Sequence, residues 1–327
     1  KMIQTTWETQ KSIKEVMVFL QGNGVSTTYA VKIFKQYGNE SIATVTANPY
    51  KLATDIYGIG FVTADAIARN LGFAPNSEFR YRSGVLHVFD EAGEEGHCFL
   101  PQVELVDRVV KRLTLDDHQP DPDFVLRLTT QMGREGELFM QEGTNEQQGQ
   151  FILYKPPFYH AERSLADRIQ QLLAQKIEVD LPRVRAWIER FAAKTGITLS
   201  SKQQQAVEMA AGERIGILTG GPGCGKTFTV RAIVALWKAM GKSIALASPT
   251  GRAAQRLAEV TGQEAKTIHR LLEFEPKTMG FKRDRLNPIE ADAIVIDEAS
   301  MLDLFLAYSL IKAVSLDTQI LFVGDAD

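Results

Sequence analysis

The string TGGPGCGKTFTV, from Thr219 to Val230, restricts the fold of this 327-residue chain more than any other stretch. Gly220 is followed by four residues and then by Gly225-Lys226-Thr227, the spacing of a phosphate-binding loop. Gly221, Gly223 and Gly225 let backbone N–H groups approach phosphates with no side chain in the way. Lys226 reaches the outer phosphates, and the Thr227 hydroxyl is offered to Mg²⁺. Cys224 and Phe228 fall in the same candidate nucleotide set. Such a loop needs an apolar strand before it and a helix after it, so that a helix N-terminus faces the anion. Residues 215–218 and 227–240 read as that strand and helix.

The surrounding residues extend this into an α/β domain over 196–327. Further apolar runs at 243–247, 293–296 and 319–323 alternate with a helix at 251–259. Near-continuous apolar strands with helices between them predict a parallel sheet covered on both faces. The strand in AIVIDEASMLD delivers Asp297 and Glu298 at its C-terminal end, where ligands sit in open parallel sheets. Asp297 is a candidate Mg²⁺ ligand, and Glu298 a candidate base for an attacking water. The same pair also reads as the cap and first-turn acid of a following helix. Upstream, Gln203 carries an amide that can both donate to and accept from adenine, although it is one of three adjacent glutamines.

The front half has another character. Residues 1–78 hold short helices around Gly22-Asn23-Gly24 and Gly58-Ile59-Gly60, an internal repeat of about 36 residues. Both turns match a helix-hairpin-helix, whose N–H groups contact DNA phosphates without reading bases. Asn23 stands where an apolar residue is usual, and the region is not strongly basic, so a structural or protein-docking role stays open. Residues 79–155 read as three helices and a hairpin, a winged-helix-like domain, with Asp90, Glu91, Glu94 and Glu95 on one helix opposing contact with a duplex there. Residues 156–195 read as a helical connector.

Composition narrows the setting. A net charge of −3 confines any nucleic-acid surface to a local patch. Two distant cysteines, Cys98 and Cys224, argue against a disulfide framework and for a cytoplasmic protein, and no apolar run reaches membrane-spanning length. Lys1 at the start and an apolar run close to the end suggest a piece of a longer protein.

ALASPTGRAAQRLAE resembles motif Ia of superfamily 1 helicases, TIHRLLEF is a second match, and the closing GDAD begins motif III. With Gln203, the loop and DEAS, these strings resemble the RecD-like helicases, and the paired hairpins resemble the longer stand-alone type. The resemblance spans nearly the whole chain and is weakest over 100–195. It implies ATP and Mg²⁺ as cofactors, with Asp325 at the nucleotide. It also implies a monomeric motor with 5′-to-3′ movement on single-stranded DNA and at single-/double-strand junctions. Two RecA-like domains are expected in that family; only the first is present here, so weak hydrolysis is expected of this chain.

Pro249, Thr250, Gly251 and Arg252 lie at a strand-to-helix junction where a hydroxyl, free N–H groups and a guanidinium can hold single-strand phosphates. Thr267, His269 and Arg270 extend that candidate track, and Gly22, Gly24, Gly58 and Gly60 are the hairpin candidates. A solvated helix face for Arg252 and Arg256, and a packed helix start for His269, are the plainer alternatives. At the level of function, a nucleotide-gated DNA-binding module without unwinding is the rival. A GTPase is disfavoured, since no Asn-Lys-x-Asp string is present.

Overall fold

A computed structural model describes residues 13–144, 148–221 and 223–325. Packing divides the chain into two compact units, Lys1–Tyr159 and His160–Asp327. Ala326 and Asp327 of the GDAD string, and residues 145–147 of the polar hairpin turn, lie outside the described residues.

The first unit opens with helix α1 (residues 13–22), then α2 (Thr27–Tyr37), α3 (Ser41–Ala47), α4 (Lys51–Asp55) and α5 (Phe61–Asn70). Leu20, Ile33, Val45, Leu52, Ile59 and Ile67 form their shared core. The two glycine turns connect α1 to α2 and α4 to α5, as the repeat predicts. Helix α6 (Glu78–Glu94), strand β1 (Leu100–Pro101), α7 (Gln102–Leu113), α8 (Pro122–Glu135), β2 (Phe139–Glu142) and β3 (Phe151–Tyr154) follow. The antiparallel sheet runs β1-β3-β2. Strand β1, only two residues long and ending in proline, carries no periodic signal in the sequence.

Helix α5 belongs to both cores of this unit. Ile67 faces the hairpin core, while Phe61, Ala64 and Ala68 pack with Val85, Leu105 and Leu153. A buried ion pair reinforces the junction. Arg80, 1% exposed, donates Nε to Asp65 Oδ1 (2.9 Å) and Nη1 to Leu113 O (2.9 Å), and Tyr50 Oη donates to the same Asp65 oxygen (2.8 Å). Burial and the neighbouring carboxylate push the Tyr50 phenol well above its ordinary range. Removing one partner of such a pair typically costs about 3–5 kcal/mol, since the other charge stays buried.

The second unit takes up helix α9 (Pro156–Leu173) from residue 160, followed by α10 (Leu181–Thr195) and α11 (Ser201–Gly212). Strand β4 (Ile215–Thr219), α12 (Lys226–Ala239), β5 (Ile244–Ser248), α13 (Gly251–Thr261), β6 (Ala265–Thr267) and α14 (Ile268–Leu271) come next. The hairpin β7 (Phe274–Glu275) and β8 (Gly280–Phe281), β9 (Ala293–Ile296), α15 (Leu304–Lys312) and β10 (Gln319–Gly324) complete it. The parallel sheet has the order β4-β10-β9-β5-β6.

Alternation along the strands shows why they read as continuous apolar runs. Val295 and Leu321 face one cluster with Trp237, Ile233 and Val207, while Ile294, Ile296 and Ile320 face another with Leu306, Leu310 and Leu172. Both faces are covered, so neither register position is polar. The stretch expected to be a connector supplies both clusters: Val184 and Ile188 of α10 enter the first, and Leu172 of α9 the second. No described helix is long and apolar enough to cross a membrane.

Candidate nucleotide and nucleic-acid site

The loop after β4 has the backbone its sequence demands. Gly223 and Gly225 adopt φ of +76° and +86°, a region costly for residues with a Cβ. A Cβ on Gly225 would stand 2.6 Å from Gln203 Nε2, and one on Gly220 would stand 2.5 Å from Cys224 Sγ. Helix α12 starts at Lys226 with Gly225 as its N-cap, so its first amides and positive dipole end face the loop.

The Lys226 ammonium donates to the Asp325 carboxylate at 2.5 Å and to the carbonyls of Gly220 and, at 3.2 Å, Gly221. The hydrogen bond to Asp325 is the main reason that the Lys226 ammonium is held above the ordinary lysine range. Asp297 directly follows β9; its N–H donates to Ala247 O (2.9 Å) and its Oδ1 accepts from Glu298 N (3.0 Å). Burial pushes the Asp297 carboxyl up; the amide of Glu298 and the charges of Arg256 and Lys226 work against it, while the Glu298 charge adds to it. Glu298 itself sits at φ +53°. A non-glycine residue in that region costs of order 1–3 kcal/mol and persists only where the surroundings enforce it. The tight approach of Gly324 is part of that enclosure, since a Cβ there would meet Ser300 N at 3.1 Å.

These groups line one cavity of about 420 Å³, which includes Gly221, Gly223, Cys224, Gly225, Lys226, Thr227, Phe228, Asp297, Glu298 and Asp325. The donor set fits a magnesium nucleotide: the Thr227 hydroxyl and Asp297 carboxylate are hard oxygen ligands, and Lys226 and the loop amides are phosphate donors. Among the described residues no group of three or more His, Cys, Asp or Glu forms a separate metal cluster.

Strand order sets out the remaining candidates along the same sheet edge. The glycine loop follows β4, Asp325 follows β10, Asp297 follows β9, Pro249-Thr250-Gly251-Arg252 follows β5, and Thr267 closes β6. Nucleotide candidates therefore occupy one half of the edge and strand-binding candidates the other. Thr250 caps α13, its Oγ1 accepting from Ala253 N (3.3 Å), and Thr267 caps α14 in the same way from Arg270 N (3.3 Å). Gly251, Arg252, His269 and Arg270 are exposed. The His269 ring packs at 5.7 Å and 5.6 Å from the rings of Phe274 and Phe281.

Comparison with known proteins covers both units. A family model described as an AAA domain matches residues 203–327, and one described as the ATP-dependent RecD2 DNA helicase HHH domain matches residues 9–99. The ATP-dependent RecD2 DNA helicase of Deinococcus radiodurans is 33% identical over 332 aligned positions, covering 100% of this chain and 45% of that protein. The chain belongs to the RecD-like helicase family. The RecBCD enzyme subunit RecD of Mycolicibacterium smegmatis is 39% identical over 54% of this chain and 35% of its own length. An uncharacterized protein of Methanocaldococcus jannaschii, MJ1519, is 26% identical over 99% of this chain and 31% of its own length. The chain spans less than half the length of these relatives.

Within this family member, the hairpins of the first unit differ in what they leave free. Around the first, the N–H groups of Asn23, Gly24 and Val25 are bonded to Phe19, Leu20 and Gln21 carbonyls. The Asn23 side chain donates to Phe19 O (2.8 Å), and Asn70 Nδ2 donates to Asn23 O (3.0 Å). That is the use of the unexpected asparagine: it closes a helix end and anchors α5. Around the second, Ile59 N is bonded to Ile56 O, while the N–H groups of Gly58 and Gly60 have no acceptor among the described residues.

Two features of the site depart from the sequence reading. Gln203 does not line the cavity; its Oε1 accepts from Ser200 N (2.9 Å) while Ser200 Oγ caps Gln203 N, a complete capping box. An adenine contact that uses both ends of this amide requires that box to open. Conversely, Arg256 of α13 lines the cavity and acts on the Asp297 charge, a placement its helix position alone did not reveal. It stands one turn beyond Arg252, so the i, i+4 spacing was the available signal.

Proposed function

We propose that this chain is the ATP-binding part of a DNA helicase that moves along single-stranded DNA, and that it acts at single-/double-strand junctions in repair or recombination. The observation that carries the reading is the single sheet edge on which the Lys226–Asp297 cavity and the Thr250–Arg252 and Thr267–Arg270 turns lie in strand order. A change at the nucleotide cavity then reaches the candidate strand track through adjacent strands about 4.8 Å apart. Family membership and the names of the relatives support the same reading.

In this reading Lys226 and the loop amides hold the phosphates, and Thr227 and Asp297 hold Mg²⁺, which neutralises the charge between the phosphates when bound. Glu298 orients water and accepts its proton at the carboxylate. Arg252, Arg270 and the Thr250 and Thr267 turns hold strand phosphates, and Gly58 and Gly60 offer free amides to a second stretch of backbone. The 5′-to-3′ polarity rests on family resemblance alone.

ATP hydrolysis by the protein without DNA, with single-stranded DNA and with blunt duplex tests this reading. Stimulation by single strands supports a translocase. Stimulation by duplex only, or by neither, overturns it in favour of a nucleotide-gated binding module.

A further inference from the structure

Away from the sheet edge, α9 and α15 pack their apolar sides into one cluster: Leu165, Ile169 and Leu172 from α9, Leu306 and Leu310 from α15. Their polar sides enclose a cavity of about 270 Å³ lined by Arg168, Gln171, Arg285, Tyr308 and Lys312, with Ser164 and Asp167 at its wall. Asp167 is already paired with Arg163 (3.5 Å). None of Arg168, Arg285 and Lys312 has a carboxylate partner among the described residues. Arg168 is fixed by donating Nη2 to Val314 O (2.7 Å) and Nη1 to Gln171 Oε1 (3.1 Å), and its buried Nε has no acceptor. Burial and the nearby Arg285 charge both disfavour its cationic form. Three cations line a recess whose one acid, Asp167, is paired with Arg163 outside it, so positive charge is in excess there and an anion would offset it.

We propose that this recess is a second phosphate-binding site, taking a phosphodiester group of a nucleic-acid backbone. Tyr308 and Lys312 also line the neighbouring recess that holds His269, Phe274, Met279 and Phe281. A cationic groove continuous with aromatic rings is the pairing by which proteins hold single strands, charge on the backbone and rings on the bases. Arg168 supplies a fixed positive charge, its Nη groups already held by Val314 O and Gln171 Oε1, and Arg285 and Lys312 supply exposed cations that adjust to the backbone. The site makes no use of the nucleotide cavity and stands whether or not the chain hydrolyses ATP.

The test is a salt titration of a fluorescein-labelled oligothymidylate binding to the full chain and to its Arg285→Ala/Lys312→Ala variant, both without nucleotide. Both side chains are solvent-facing ends, so folding is preserved, which circular dichroism verifies. The slope of log affinity against log salt should fall by about 0.7–1.4, one or two phosphate contacts. The same fall should appear in an Arg252→Ala/Arg270→Ala background, which separates this site from the sheet-edge track. An unchanged slope overturns the proposal. A thermal shift with inorganic phosphate at constant ionic strength, lost in the double variant while the DNA slope stays the same, overturns it in favour of a free-phosphate site.

Discussion

The chain carries two glycine-built candidates for a grip on phosphate, one in each unit, and they differ in what surrounds the amides. In the loop after β4, the glycines sit inside a cavity with a lysine, three carboxylates and an arginine. At the second hairpin of the first unit, Gly58 and Gly60 offer bare amides at the surface, beside a Tyr57 that is 97% exposed. Enclosure lets fixed charges act strongly on a bound phosphate, whereas an open hairpin can only hold one in place. The first hairpin is a third condition: the same glycine spacing with its amides already used. Glycine pattern alone therefore does not define a phosphate grip; unspent donors do.

Substitution can break this contrast, and the largest effect belongs to the enclosed loop. Lys226→Ala should lower ATP hydrolysis about 10²–10³-fold while DNA affinity stays unchanged, measured by phosphate release and by oligonucleotide titration. Retained hydrolysis would remove the distinction between the two grips. Next, Gly24→Ala places a Cβ 2.4 Å from Asn70 Nδ2 at a φ of +80°. Urea unfolding should show a loss of about 1–3 kcal/mol, marking the first hairpin as structural. At the second hairpin, Gly60 has nothing within 4 Å of a built Cβ and an ordinary φ of −95°. Gly60→Val should therefore change stability by less than about 0.5 kcal/mol yet cut the salt slope of duplex binding by about 0.9, one phosphate contact. An unaltered slope would assign both hairpins to architecture.

The smallest effect is at Asp325. Asp325→Asn removes the main cause of the raised Lys226 titration, so the lysine should lose its proton at lower pH than in the parent, followed by NMR of the labelled ammonium. Stability should change by less than about 1 kcal/mol, as for other partly exposed pairs.

Much of this was legible in the chain of letters. Strand β9 announced itself because both of its faces are buried, leaving no polar position to interrupt Ala293 to Ile296. Strand β6 was not legible: it has three residues, lies at the sheet edge and carries an exposed Lys266. The loop, Asp297 and Glu298 were found from local pattern, and the cavity brings them together. The i, i+4 spacing put Arg256 on the face of Arg252, but its meeting with Asp297 is set by strand order, which no local window contains. Gln203 had a signal that pointed elsewhere: Ser200 three residues before it is the capping-box spacing.

The strand order also has a consequence in time. Strand β10 is the last of the sheet in the chain, yet it lies between β4 and β9 and is the sole bridge joining β4 to the β9-β5-β6 half. During synthesis the glycine loop emerges nearly a hundred residues before its supporting strand. Until Gln319 to Gly324 leave the ribosome, β4 has no partner and the two halves of the nucleotide cavity have no common floor. A nascent chain arrested short of that strand should expose the loop without being able to grip a nucleotide, so the site switches on only once this sheet is complete.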